Sequence, residues 1–128
     1  MEKKIVKTDK APAAIGPYSV GVIAGELIYT AGQAGIDPAT RELVPGGIEA
    51  QTRQTLTNIR NVLEAAGSSM ELVVKTSVFL KDMAEFSAMN AVYGEFFKID
   101  PPARTTVQAA ALPMNAAVEI EAIAILKR

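Results

Sequence analysis

The sequence predicts an α+β domain: a single six-stranded mixed sheet with two helices packed on one face, in the order β-β-β-α-β-α-β-β. Two observations predict it. Strand-length stretches with period-2 alternation or dense β-branching flank two segments whose apolar residues recur at helical spacing. Two strand–helix–strand crossovers follow from the order and imply parallel pairings, and right-handed connections send both helices to the same side. At 128 residues, the chain has room for one domain, residues 1–128, and one core.

Lys3 to Lys7 reads as a short edge strand guarded by lysines. Ala11 to Pro17 is too rich in Pro and Gly for regular structure, and Tyr18 ends that loop. Ser19 to Ala24 and Leu27 to Ala31 read as a hairpin about the Gly25-Glu26 turn. Gly32-Gln33 follows, where glycine permits close approach by a ligand or another chain. Asp37 to Thr40 has turn chemistry. From Ile48 to Ala66 the apolar positions Ile48, Leu56, Ile59, Val62, Leu63 and Ala66 share one helical face with Thr52 and Thr55, and Gly67 suits a left-handed C-terminal cap. Leu72 to Lys81 is dense in β-branched residues and reads as a strand. Asp82 and Glu85 have capping-box spacing, opening a helix with Phe86, Met89, Tyr93 and Phe97 on one stripe that stops before Asp100-Pro101-Pro102.

The last two strands, Ala103 to Ala109 and Val118 to Leu126, flank a loop containing Leu112-Pro113. Alternation puts Arg104, Thr106 and Gln108 on one face of the first. On the second, Glu119 and Glu121 oppose Val118, Ile120, Ala122, Ala124 and Leu126. Two helices cover only one sheet face, yet Leu72 to Lys81 and Val118 to Leu126 are apolar on both. Other copies of the chain are the economical cover for the second face.

Thirteen basic and fourteen acidic residues nearly cancel, so no long-range field points to nucleic acid or a membrane. The chain has no cysteine, which excludes thiol chemistry and disulfides, and no histidine, which removes the commonest general base and metal ligand. MEKKIVK precedes no apolar run, and the greasiest segment is broken by Glu119 and Glu121; the expectation is a soluble cytoplasmic domain. No phosphate-binding glycine loop, metal cluster or paired nucleophile and base is present in the sequence, and no cofactor is implied.

Several residues have two readings each. Arg104 is either a solvated or ion-paired edge arginine or a fork for a small carboxylate or phosphate. Glu119 and Glu121 are a solvated stripe, or they are buried and need partners, one of them holding a water. Asn90, within the stripe of the second helix, is a satisfied core amide or a pocket-facing donor and acceptor. Tyr18 is a packing residue or a pocket wall. Gly32 and Gln33 are weak signals alone.

Together, these residues resemble the RidA/YjgF family of reactive intermediate deaminases. The motifs are APAAIGPYS (Ala11 to Ser19), TAGQ (Thr30 to Gln33), EAAG (Glu64 to Gly67), VVKTSVFLKD (Val73 to Asp82), NAVY from Asn90, PPARTTV (Pro101 to Val107) and EIEAIA (Glu119 to Ala124). The resemblance covers nearly the whole chain, and the motifs in this order are far more specific than any one of them. It implies a chorismate-mutase-like fold and a homotrimer with sites in the clefts between subunits. It also implies that Arg104 holds a substrate carboxylate and Glu119 positions a hydrolytic water, with Tyr18, Gly32, Gln33 and Asn90 at pocket positions. Ala31 stands where many members have serine, and Thr106 where many have cysteine; both residues bear on substrate preference.

The implied reaction is hydrolysis of 2-imino acids, and of the enamines that tautomerise to them, to 2-oxo acids and ammonia. A protonated imine carbon is already electrophilic, so the protein's task is positioning. Two other functions compete: a trimer that binds 2-oxo acids or amino acids without turnover, and a ribonuclease or translation inhibitor, against which the missing histidine and basic–aromatic patch count. A chaperone-like role has no residue-level signature.

Overall fold

The computed structural model describes residues 1–128. Its strands are β1 (Lys3–Val6), β2 (Gly21–Ala24), β3 (Leu27–Thr30), β4 (Gln33–Ala34), β5 (Val73–Leu80), β6 (Ala103–Gln108) and β7 (Val118–Ile125), with helices α1 (Gly47–Ala65) and α2 (Phe86–Phe96). They form one mixed sheet in the order β1-β2-β3-β7-β5-β6, with β4 also paired to β7. Only β5 and β6 pair in parallel; the remaining ladders are antiparallel. No helix is long and apolar enough to cross a membrane.

Two expectations need correction. The sheet has seven strands rather than six. The seventh exists because the strand expected to end at Ala31 breaks and resumes. Tyr29 pairs with Ile123, but Gln33 pairs with Ile120, so four steps on one strand oppose three on the other. That is a β-bulge, centred on Ala31-Gly32, and β4 is the continuation beyond it. The crossover through α1 also makes no direct parallel pair. β7 lies between β3 and β5, so the last strand occupies the centre of the sheet.

Both helices pack on one side of the sheet. Val78 and Leu80 of β5, Val118, Ile120, Ala122 and Ala124 of β7, and Ile28 of β3 meet Leu56, Ile59, Val62 and Leu63 of α1 and Met89 and Tyr93 of α2 in a continuous core. The other face has no cover within the chain. Ile5, Val22, Tyr29 and Ile123 form a cross-strand row upon it, and Ile5 and Tyr29 remain 46% and 41% exposed.

The helix ends follow local chemistry. Gly67, at φ +85°, places its N–H on Glu64 O (3.1 Å) while Ser68 N–H reaches Leu63 O (2.8 Å), a Schellman closure of α1. Before α2, Asp82 Oδ1 accepts from Ala84 N–H at 2.9 Å. The reciprocal half of the expected capping box is replaced: a single 3-10 turn, Met83–Glu85, leads into the helix. Inside the core, Asn58 is fully buried. Its amide donates to Ala34 O and Ile36 O at 3.1 and 2.9 Å, tying α1 to the chain emerging from β4.

Nothing lies within 4 Å of a Cβ built on Gly67, so Gly67→Ala tests the backbone alone. The expected loss is about 1–2 kcal/mol for an L-residue held in the left-handed region. A lower urea midpoint with an unchanged m value checks it.

Candidate functional site

Register fixes where each charged group goes. Thr76 of β5 pairs with Arg104, and Val78 pairs with Thr106 on one side and Ile120 on the other. Val78 and Ile120 face the helices, so Arg104 and Thr106 do too. The adjacent row, Val107–Phe79–Glu119, faces the uncovered side. Arg104 and Glu119 of one chain therefore point to opposite faces of the sheet, two strand spacings (about 10 Å) apart.

On the helix side, Arg104 is half-buried against α2. Its guanidinium carbon is 4.7 Å from the centre of the Tyr93 ring and 5.5 Å from that of Phe86. The only salt bridge within the chain is Arg53 to Glu95, at 3.1 Å between α1 and α2, so Arg104 has no carboxylate partner. It forms one wall of an open groove of about 390 Å³, lined also by Asn90, Tyr93, Gly94, Phe97, Pro101 and Pro102. Burial raises the Tyr93 hydroxyl pKa; its hydrogen bond with Thr76 and the nearby Arg104 charge act in the opposite sense. Thr106 places a buried hydroxyl without a hydrogen-bond partner two residues beyond Arg104 on the same face. Asn90 is exposed and lines the groove rather than the core.

On the uncovered side, Glu119 lies across the bulge. A Cβ built on Gly32 would fall on Glu119 Oε2 and come within 2.9 Å of the carboxylate carbon, so only glycine leaves the carboxylate its seat. Burial pushes the Glu119 pKa up, and the neighbouring Glu121 carboxylate pushes it the same way. Ala31 is half-buried beside this seat, its N–H bonded to Val20 O at 2.9 Å. Thr30 Oγ1 accepts from Ala122 N–H at 3.0 Å, filling the ladder position that the bulge vacates.

The other expected site residues lie outside both groups. Gln33 is buried and pairs with Ile120, which turns its side chain to the helix side, away from Glu119. Tyr18 is 51% exposed on its loop, where its hydroxyl accepts from Ile15 N–H at 3.4 Å. One chain thus brings Arg104 and Asn90 together at the groove, with Thr106 two residues beyond Arg104 on the same sheet face, and, separately, Ala31, Gly32 and Glu119. Sequence reasoning placed Phe86, Tyr93 and Phe97 on a packing stripe and did not connect them to Arg104. The available signal was the β5–α2–β6 crossover, which lays that stripe over the strand carrying the arginine.

A family model described as endoribonuclease L-PSP matches residues 8–126. A 2-iminobutanoate/2-iminopropanoate deaminase from Capra hircus is 51% identical over 123 residues, 96% of this chain and 90% of its own. A crystal structure from Thermotoga maritima superposes with a TM-score of 0.95 at 47% identity, over 100% of both chains. E. coli TdcF, solved with bound serine, gives 0.92 at 40% identity over 97% of this chain and 99% of its own. With a matched segment spanning nearly every element of the fold, the chain belongs to the RidA/YjgF family.

Proposed function

We propose that this protein is a reactive intermediate deaminase that hydrolyses 2-imino acids, such as 2-iminopropanoate and 2-iminobutanoate, in sites shared between copies of a homotrimer. The observation that carries the reading is the unspent guanidinium. Arg104 lies half-buried at a groove with no acceptor of its own, so its in-plane donors are free for an anion. A planar carboxylate matches its fork. The deaminase name of a relative at 51% identity supports the reaction class, and the serine bound to E. coli TdcF supports an amino-acid-sized carboxylate ligand.

The division of the site supports assembly. Arg104 and Glu119 cannot meet around one sheet, so a second copy must bring its uncovered face, with Glu119, to the groove that holds Arg104. Covering that face also removes the apolar row through Ile5 and Tyr29 from water.

In the shared site, Arg104 holds the substrate carboxylate in two parallel hydrogen bonds and so fixes the imine carbon. Glu119 of the adjoining copy takes a proton from a water whose oxygen attacks that carbon, and the C=N pair moves onto nitrogen. Glu119 then returns the proton to nitrogen, and as the C–N bond breaks it takes the proton of the new hydroxyl, so that the carbonyl forms and ammonia leaves, carrying that proton away as ammonium. Thr106 offers the site an unpartnered hydroxyl, and Asn90 an amide at the groove. Water in place of a 2′-hydroxyl nucleophile, and a groove with a single cation among its lining residues, separate this reading from RNA cleavage.

Arg104→Ala is expected to keep its fold and lose imine hydrolysis by about 30- to several-thousandfold, the 2–5 kcal/mol of a desolvated charge pair stripped of one partner. Generating 2-aminoacrylate with a dehydratase and following 2-oxo acid release checks this; unchanged acceleration removes Arg104 from the mechanism. Glu119→Gln is expected to retain 2-oxobutanoate binding without turnover, and binding without any turnover in the wild type would favour a pure ligand-binding trimer. Gly32→Ala removes no chemical group but evicts the Glu119 carboxylate, and a displacement of about 1 Å costs on the order of 100-fold in rate. A folded, fully active Gly32→Ala variant would disprove that seat.

The pH profile supplies a further check. Glu119 acts as its carboxylate, and its pKa lies above the ordinary 4.5, so kcat/KM is expected to fall on the acid side with an inflection above that value. An acid limb unchanged in residual Glu119→Gln activity would assign the inflection elsewhere.

A further inference from the structure

We infer that Tyr93, anchored through Thr76, is a positioning residue for Arg104: its ring face fixes the guanidinium plane while leaving every N–H free for a carboxylate. This rests on the reading of Arg104 as the carboxylate fork.

The geometry separates holding a cation from neutralising it. An arginine side chain has several rotatable bonds and loses orientation unless something restrains its head. A carboxylate partner would restrain it but consume the in-plane donors that the ligand needs, as Glu95 does for Arg53 by taking two hydrogen bonds from Nη2 at 3.2 and 3.1 Å. Tyr93 instead meets Arg104 through its π-face, at 4.7 Å, and attraction to a ring quadrupole uses no donor. Phe86, seven residues earlier on α2, gives a second ring at 5.5 Å. The guanidinium is thus held by two aromatic side chains, with its hydrogen-bonding edge unspent.

The Tyr93 ring is itself fixed. It is 5% exposed and packs against Phe97 with centroids 4.7 Å apart. Its hydroxyl meets Thr76 Oγ1 at 2.7 Å, and Thr76 is the cross-strand partner of Arg104. The helix α2, the strand β5 and the edge strand β6 are therefore joined through one tyrosine, which ties the position of the ring to the strand register that places the arginine. A phenylalanine would fill the same volume but lack the tie to β5.

The test measures 2-oxobutanoate binding by calorimetry to the assembled wild type and to Tyr93→Leu, Tyr93→Phe, Phe86→Leu and Arg104→Ala, each first checked for an unchanged melting profile. Losing the Tyr93 ring face is expected to weaken binding about 5- to 30-fold, the range for a partly desolvated cation–π contact. Tyr93→Phe, which restores the face without the hydroxyl, is expected to recover most of that loss. Wild-type affinity in folded Tyr93→Leu overturns the inference, and so does a Tyr93→Phe variant as weak as Tyr93→Leu. If Tyr93→Leu fails to fold, half-buried Phe86→Leu decides: a weakening of at least twofold supports the aromatic cradle, and none overturns it. Arg104→Ala keeps the two levels apart. Undiminished binding there removes the carboxylate fork itself, whereas binding lost in Arg104→Ala but intact in Tyr93→Leu removes only the role of Tyr93.

Discussion

The placement of both charged groups depends on the register of three strands, β7, β5 and β6. Val78 is the pivot, because it pairs with Ile120 on one side and Thr106 on the other. A slip of one residue in either ladder would exchange the faces of every side chain on the slipped strand. Between β5 and β7, what prevents the slip is burial. Val78, Leu80, Val118, Ile120, Ala122 and Ala124 are almost wholly excluded from water, and the larger of these side chains contribute about 1.5–3 kcal/mol each. Summed over a strand, that outweighs any preference of one arginine or one glutamate. The apolar core thereby determines that Glu119 points away from the helices, while β6, none of whose residues is buried, takes the facing of Arg104 from its parallel ladder to β5.

The two groups are held by different physics. Arg104 is half-buried without neutralisation, and aromatic faces compensate part of its lost hydration. Glu119 receives no such compensation within its own chain: burial and Glu121 both disfavour its charge. Each is a partly desolvated charge awaiting an opposite one, and the fold keeps them from satisfying each other internally. In the proposed assembly the guanidinium of an adjoining copy opposes that rise only in part. The carboxylate is then poised by its neighbours rather than by its own intrinsic acidity.

Much of the fold was legible because it rests on local periodicity. The strand at Val118–Ile125, the buried face of α1 and the left-handed Gly67 all follow from spacing and side-chain type. The two-residue strand β4 was not, since two residues have no period to detect. Asn90 was ambiguous because the expected stripe omitted Val92. With Val92, Met89 and Tyr93 buried, the packed face of α2 is rotated and Asn90 falls at its margin. The relation of Arg104 to Glu119 was also beyond reach of alternation. Period 2 says which residues share a face within one strand, but not which face of Ala103–Gln108 aligns with which face of Val118–Ile125. Pairing to a third strand decides that, and no residue of β5 announces its partners.

The bulge shows how a local irregularity is made to serve the site. One extra residue in the chain after Thr30 lets both Thr30 and Gln33 face the core, although regular alternation would put them on opposite sides. The ladder position so lost is refilled by the Thr30 hydroxyl, which takes the Ala122 N–H that a backbone carbonyl would otherwise have taken. This keeps the buried Ala122 donor paired, so that position costs little. In exchange, Ala31 and Gly32 bring backbone, with no side chain at Gly32, up to the Glu119 carboxylate. A straight strand would have presented a Cβ row there, and the carboxylate would have had to lie elsewhere. Bulges concentrate beside functional groups for this reason: they change the aim of one position while the flanking rows keep the core intact.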